Sequence, residues 1–205
     1  VTCTPDWVDS LRRLHGQSDV FLVTNGYDPD LIPRTRFSAP DSLVLASTGP
    51  VYPGRHNAET LLAGLSRLVI EKGLAPGALT MRFVGVPDPF VKARVERLGL
   101  EEYVFQEGQV SREDSMRIQW GSSALVMFSW ANADANGHYP LRAFEYLATA
   151  KPILLFTTNP KVAAAQLVME SGCGYLCVDE ESTFRTLSVL YDSHMAGTNP
   201  PPRTC

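Results

Sequence analysis

The chain has 205 residues, 44% of them hydrophobic and 20% charged, the balance of an ordinary globular protein with enough apolar surface for a real core. Against 22 aspartates and glutamates stand 18 lysines and arginines, a net charge of −4, and without a basic stripe this argues against nucleic acid as a partner. No apolar run approaches the roughly 20 residues needed to span a bilayer and no signal peptide opens the chain, so a cytoplasmic location is expected.

The cysteines, Cys3, Cys173, Cys177 and Cys205, form no C-x-x-C pair or zinc spacing and are too few for a disulfide scaffold. Thr4-Pro5-Asp6 opens a helix in which Trp7, Val8, Leu11 and Leu14 hold the helical period up to Gly16. Val20 to Val23 reads as a buried strand ending in the turn Thr24 to Pro29, where Asn25-Gly26 offers positive φ. Ser38-Ala39-Pro40-Asp41 is a connector, which places a boundary between about residues 30 and 41.

Beyond it the pattern settles into strand, loop, helix. Leu43 to Ala46 is a strand, and the loop Thr48 to His56 leads to Asn57, which can cap an amphipathic helix carrying Leu61, Leu62, Leu65, Leu68 and Val69. Thr80 to Gly85 is the second strand, followed by the loop 86–89 and a helix ending near Gly99. Tyr103 to Phe105 is a short strand, Ser111 caps the next helix, and Ala124 to Phe128 is a strand apolar on both faces. A helix after Pro140, a strand from Pro152 to Phe156, a helix from Pro160 to Glu170, a strand from Gly174 to Val178 and a helix from Ser182 complete the series. Strands apolar on both faces that alternate with helices require a parallel sheet covered on both sides, with ligands at the carboxyl ends of the strands.

Gly137 to Phe156 is the most informative stretch. A glycine-containing loop enters a helix opened by Pro140, the helix carries Arg142 and Glu145 three residues apart, and Lys151-Pro152 ends it before an apolar strand. Free N–H groups in the first turn of such a helix can bind an anion. Trp130 to Asn136 has no period of either kind and reads as a flexible loop or an ordinary linker.

These residues resemble the carboxy-terminal, donor-binding half of the GT-B retaining glycosyltransferases, and the resemblance covers most of the chain. Its most specific part is the string G-x-x-P-x-R-x-F-E-Y-L-A-x-x-K-P-I-L from Gly137 to Leu154. Thr24 to Asp28 looks like the segment that joins the two halves, Gly49 to Arg55 like the first glycine loop, Arg82 to Gly85 like the second strand with its glycine, and Phe105 to Ser111, including Val110, like the turn facing the base.

The resemblance implies a Rossmann-like α/β fold: a parallel sheet of about six strands with helices on both faces. Residues 1–30 would be a remnant of the acceptor half plus linker, 31–196 the nucleotide-sugar-binding domain and 197–205 a disordered tail. It also implies a UDP or GDP sugar as donor substrate, with no separate cofactor and no metal, in cell-surface polysaccharide or glycoconjugate synthesis. Its implied partners are an acceptor-binding N-terminal domain absent from this chain and, for the full enzyme, a peripheral membrane association.

Departure of a nucleoside diphosphate builds charge on the β-phosphate, so a donor site needs N–H groups and a cation placed there beforehand. Arg55 and Arg142 are the candidate cations; a solvated loop or helix charge is the alternative for each. Glu145 is implied as acceptor for the ribose hydroxyls, with a structural ion pair to Arg142 or a neighbouring helix as the other reading. His138 could donate to phosphate or sugar, whereas His56 reads as a surface residue. The binding set is therefore Gly49, Arg55, Gly85, Val110, Asn136, Gly137, His138, Arg142 and Glu145, with no catalytic residue assigned.

Two departures weaken the likeness locally. Gly137 stands where many relatives carry a glutamate that touches the sugar, and Pro50 where many carry an arginine. Two other readings remain: a nucleotide- or sugar-phosphate-binding module without transferase activity, and a GT-B-like epimerase, which would need several acids and a histidine clustered in the cleft.

Overall fold

β4 (Ala124–Phe128) and β5 (Ile153–Phe156) carry no exposed residue, and their side chains divide by alternation between two separate apolar clusters. They lie in one sheet with β1 (Leu43–Thr48), β2 (Leu79–Val84), β3 (Val104–Gly108) and β6 (Gly174–Cys177), in the order β3-β2-β1-β4-β5-β6, and every pairing is parallel. This computed structural model describes all residues except 17, 18, 35, 36, 53–55, 130–138, 199 and 201–205.

Parallel neighbours cannot be joined by a tight turn, so each strand is followed by a helical crossover. The helices are α2 (Ala58–Lys72), α3 (Pro89–Leu98), α4 (Arg112–Gly121), α5 (Leu141–Ala148), α6 (Ala163–Glu170) and α7 (Glu180–Met195). Leu61, Leu62, Leu65 and Leu68 of α2, Val91 and Val95 of α3 and Leu187 of α7 cover one face of the sheet, over Leu45, Val126 and Leu154. Ala143 and Tyr146 of α5 and Ala164, Ala165 and Val168 of α6 cover the other, over Ala46, Leu125 and Ile153. Each fully buried leucine contributes roughly 1.5–3 kcal/mol, so the α2 face is a main source of stability.

Local signals set the helix starts. Asn57 Oδ1 accepts from the Thr60 N–H at 3.3 Å, and Ser111 Oγ accepts from the Asp114 N–H at 3.0 Å, both as the sequence predicts. α7 begins two residues before Ser182, because Asp179 is the cap and Ser182 closes a reciprocal capping box with it. Pro140 is likewise the cap of α5 and not its first residue. At the far end of α5 the Lys151 ammonium donates to the carbonyls of Trp120 and Ser122, at the end of α4, and burial lowers its pKa.

The amino-terminal segment departs from expectation. α1 (Pro5–His15) forms as predicted but buries only Val8. Val20 to Val23 is no buried strand: it makes a single parallel bridge, Leu22 to Thr2, and Phe21 and Val23 are 63% and 60% exposed. A short apolar run fixes neither its partners nor its burial, and among the described residues nothing packs over these side chains. Gly26 is not at positive φ either; the chain turns at Pro29–Leu31, a short 3₁₀ turn capped by Asp28. The expected tail 197–205 falls mostly outside the described residues.

Candidate functional site

β1 pairs with β2 on one side and with β4 on the other, so the chains leaving the carboxyl ends of β1 and β4 diverge and leave a crevice above the sheet. A cleft of about 1070 Å³ opens there. Five of the expected site residues, Gly49, Gly85, Val110, Arg142 and Glu145, line it together although they come from four separate loops and helix starts. Arg55, Asn136, Gly137 and His138 lie outside the described residues, as does the loop Trp130 to Asn136.

The two glycines are there for room. Gly49 has φ +102°, and a methyl group built on it would sit 2.8 Å from Arg142 Nη2 and 2.9 Å from its Cζ, so the guanidinium rests against bare backbone. A methyl on Gly85 would sit 2.8 Å from the carbonyl carbon and oxygen of Gly49. The Gly49 N–H is already donated to Val84 O at 2.7 Å, so this amide is not one of the free donors that an anion needs. Among the described residues no carboxylate pairs with Arg142, which leaves its charge for a ligand.

Glu145 projects from the next turn of α5 and does not pair with Arg142. Its Oε1 accepts from Arg112 Nη2 and its Oε2 from Gln119 Nε2, each at 3.1 Å, both donors belonging to α4. The pairing with a neighbouring helix, one of the two readings open from sequence, is thus the one present. The Glu145 side chain keeps 18% of its surface exposed, enough to be reached from the cleft.

A buried polar chain continues inward. Gln119 Nε2 also lies 3.2 Å from Thr48 Oγ1 and 3.4 Å from Ser115 Oγ. The Thr48 N–H donates to the Tyr146 hydroxyl at 2.8 Å, so Tyr146 of α5 holds the last residue of β1 just before Gly49. Low dielectric strengthens such a network when its members are satisfied. Sequence reasoning did not single out Arg112, Gln119 or Thr48. A signal existed for Gln119: it stands three residues after Met116, on the same face, and these two are the buried residues of the helix.

His56 corrects a second expectation, since it faces the cleft. Its ring stacks on Phe128 at 5.5 Å and meets Tyr52 edge-on at 5.2 Å, while Nδ1 accepts from the Tyr52 N–H at 3.2 Å. Accepting at Nδ1 puts the proton of the neutral ring on Nε2. Burial first, and the Arg142 charge second, push its pKa down from 6.5 to about 4, so the ring is neutral at pH 7. Phe144 of the same helix as Glu145 packs edge-on against Tyr139 at 5.9 Å.

Among the described residues no three His, Cys, Asp or Glu side chains come together as metal ligands, and no helix is long and apolar enough to cross a membrane. Chemically, the described residues of the cleft offer a guanidinium without a carboxylate partner among them, an oriented carboxylate and a neutral imidazole, groups able to meet an anion and hydrogen-bond donors.

No protein-family model and no curated protein matches the chain. Solved structures do. The chain is similar to WaaG, a glycosyltransferase involved in lipopolysaccharide biosynthesis, with a TM-score of 0.69 and 16% identity over 93% of this chain and 53% of that one. It is similar to the sucrose-phosphate synthase of Thermosynechococcus elongatus, with a TM-score of 0.63 and 16% identity over 95% and 49%. It is also similar to S. aureus MnaA in its structure with UDP, with a TM-score of 0.59 and 13% identity over 97% and 53%. The chain spans about half the length of each. The described residues have the fold of the C-terminal half of a GT-B glycosyltransferase.

Proposed function

We propose that this chain is the donor-binding half of a glycosyltransferase that moves a sugar from a nucleoside diphosphate sugar, of UDP or GDP type, to a hydroxyl acceptor in cell-surface polysaccharide or glycoconjugate synthesis. The observation that carries the proposal is the convergence of Gly49, Gly85, Arg142 and Glu145 on one cleft at the carboxyl ends of the strands. A fold likeness alone would not fix a reaction.

In this reading Arg142 takes the diphosphate. Its planar fork can hold two phosphate oxygens, and as the bond to the sugar breaks the developing charge falls on the oxygens beside it. Gly49 lets the guanidinium rest against bare backbone and Gly85 lets the Gly49 carbonyl in, so the two glycines set where Arg142 stands, and His56 offers a neutral Nε2–H near the same charge. Glu145 accepts from the ribose hydroxyls, and Val110 flanks the base. The acceptor would come from a second domain closing over the cleft, docked on the apolar side chains that α1 and residues 20–27 leave exposed. Peripheral attachment to a membrane and a place in the cytoplasm belong to that full enzyme.

Calorimetry of the 205-residue chain with UDP, GDP, ADP and the corresponding sugars tests the donor site. Binding of one nucleoside diphosphate is expected, weakened at least tenfold by Arg142→Met and by Glu145→Ala, which corresponds to about 1.4 kcal/mol or more. Absence of binding at millimolar ligand would end the proposal. Binding that these two substitutions leave intact would move the ligand out of this cleft. Transfer by this chain alone would show that the acceptor needs no second domain.

A further inference from the structure

Resting on the donor-site reading, we infer that Gln119, with Arg112, is a positioning residue that presents the Glu145 carboxylate to the two ribose hydroxyls of the nucleotide. A carboxylate has about four lone-pair sites, two on each oxygen. Arg112 occupies one on Oε1 and Gln119 one on Oε2. One acceptor site is left on each oxygen, and a ribose diol brings two donors. Held only by its own rotamer, the carboxylate would turn about its last bond; held at both oxygens by donors from α4, it cannot.

Gln119 is fully buried, yet its Oε1 has no hydrogen-bond partner among the described residues, while its Nε2 lies within reach of three acceptors. An amide placed for structural satisfaction alone would use its carbonyl as well. Turning the amide over would point that carbonyl at Glu145 Oε2, oxygen against oxygen, so the donor orientation is the one the site enforces. Arg112 differs in kind: its side chain is 63% exposed at the rim, and it balances the charge of Glu145 without filling the cleft. Through Thr48 Oγ1 the same amide ties the ribose end of the site to the residue before Gly49, at the diphosphate end.

The distinguishing measurement is the ratio of affinities for a nucleoside diphosphate and its 2′-deoxy and 3′-deoxy counterparts, by calorimetry on the full 205-residue chain. For the natural sequence the ribonucleotide should bind about tenfold more tightly than either deoxy form. In Gln119→Met, of similar length but without the amide, ribonucleotide affinity should fall about tenfold and the deoxy affinities should barely change, so that the ratio collapses towards one. Arg112→Met, at an exposed position that no fold contact requires, should narrow the same ratio and serves if Gln119→Met fails to fold. A merely structural role would weaken ribo- and deoxynucleotides alike and leave the ratio intact. A ratio that survives in Arg112→Met and in any folded Gln119→Met overturns the positioning role alone. A natural chain that binds no nucleoside diphosphate, or binds ribo and deoxy forms equally, overturns the donor-site reading itself and this inference with it.

Discussion

The Arg142 guanidinium lies where a side chain on Gly49 would have to go: a methyl there would meet Nη2 at 2.8 Å. Real Cβ contacts of that length do not occur, and φ +102° is strained for any L side chain. Gly49→Ala is therefore expected to displace Arg142 and to raise the dissociation constant for a nucleoside diphosphate tenfold or more. The reciprocal substitution Arg142→Ala should cost affinity but leave Gly49 unstrained. If Gly49→Ala binds as tightly as the natural chain, the contact between the two has no functional weight.

Tyr146→Phe removes the acceptor of the buried Thr48 N–H and keeps the ring that fills the core. An orphaned buried donor costs about 1–3 kcal/mol. For a chain of this size each kcal/mol moves the melting temperature by about 2–4 °C. Calorimetric melting of the variant should show a fall of that order, and because Thr48 precedes Gly49, ligand affinity should fall as well. An unchanged melting temperature would mean that water replaces the hydroxyl.

His56 supplies the pH dependence. Its pKa is lowered in the folded state, from 6.5 to about 4, so between those values the unfolded chain binds more protons than the folded one. Its contribution to stability is complete above about pH 6.5 and is lost as pH falls towards 4. His56→Gln should flatten the dependence of melting temperature on pH across that window. NMR titration of the imidazole should find a midpoint well below 6.5, and a bound diphosphate, offsetting the Arg142 charge, should move it upward. A midpoint at or above 6.5 in the empty protein would contradict the buried, cationic setting.

Ala150 has φ 53°, the one positive value outside glycine among the described residues, in the turn between α5 and β5. For alanine that conformation costs about 1–2 kcal/mol, of which glycine would recover part against its greater freedom when unfolded. Because Ala150 is exposed, Ala150→Gly has no packing to lose and should raise the melting temperature by about 1–3 °C. A lower melting temperature would mean that the turn is not strained.

The scaffold was legible because its signals are local and repeated. Apolar runs such as Ala124 to Phe128 and helix caps such as Asn57 and Ser111 identify strand and helix without tertiary information. The cleft residues on turns, Gly49, Gly85 and Val110, were named through the family resemblance, and they meet because the fold puts loop ends of parallel strands in one place. What escaped depends on partners far apart in the chain. Gln119 meets Thr48 across 71 residues and Arg112 meets Glu145 across 33, and no spacing announces either pair. His56 was misplaced because a histidine beside an arginine looks solvated until Phe128 is brought under it. Phe21 and Val23 failed in the opposite sense, being apolar without cover.

Phe128 is the floor of the cleft on one side and part of the hydrophobic core on the other: it stacks on His56 and touches Phe83 and Phe156. Occupancy and cohesion therefore share a wall. A substitution that loosens the ring cluster from behind would degrade ligand affinity before it unfolded the chain, and selection for binding would hold the interior to tighter tolerances than folding alone demands.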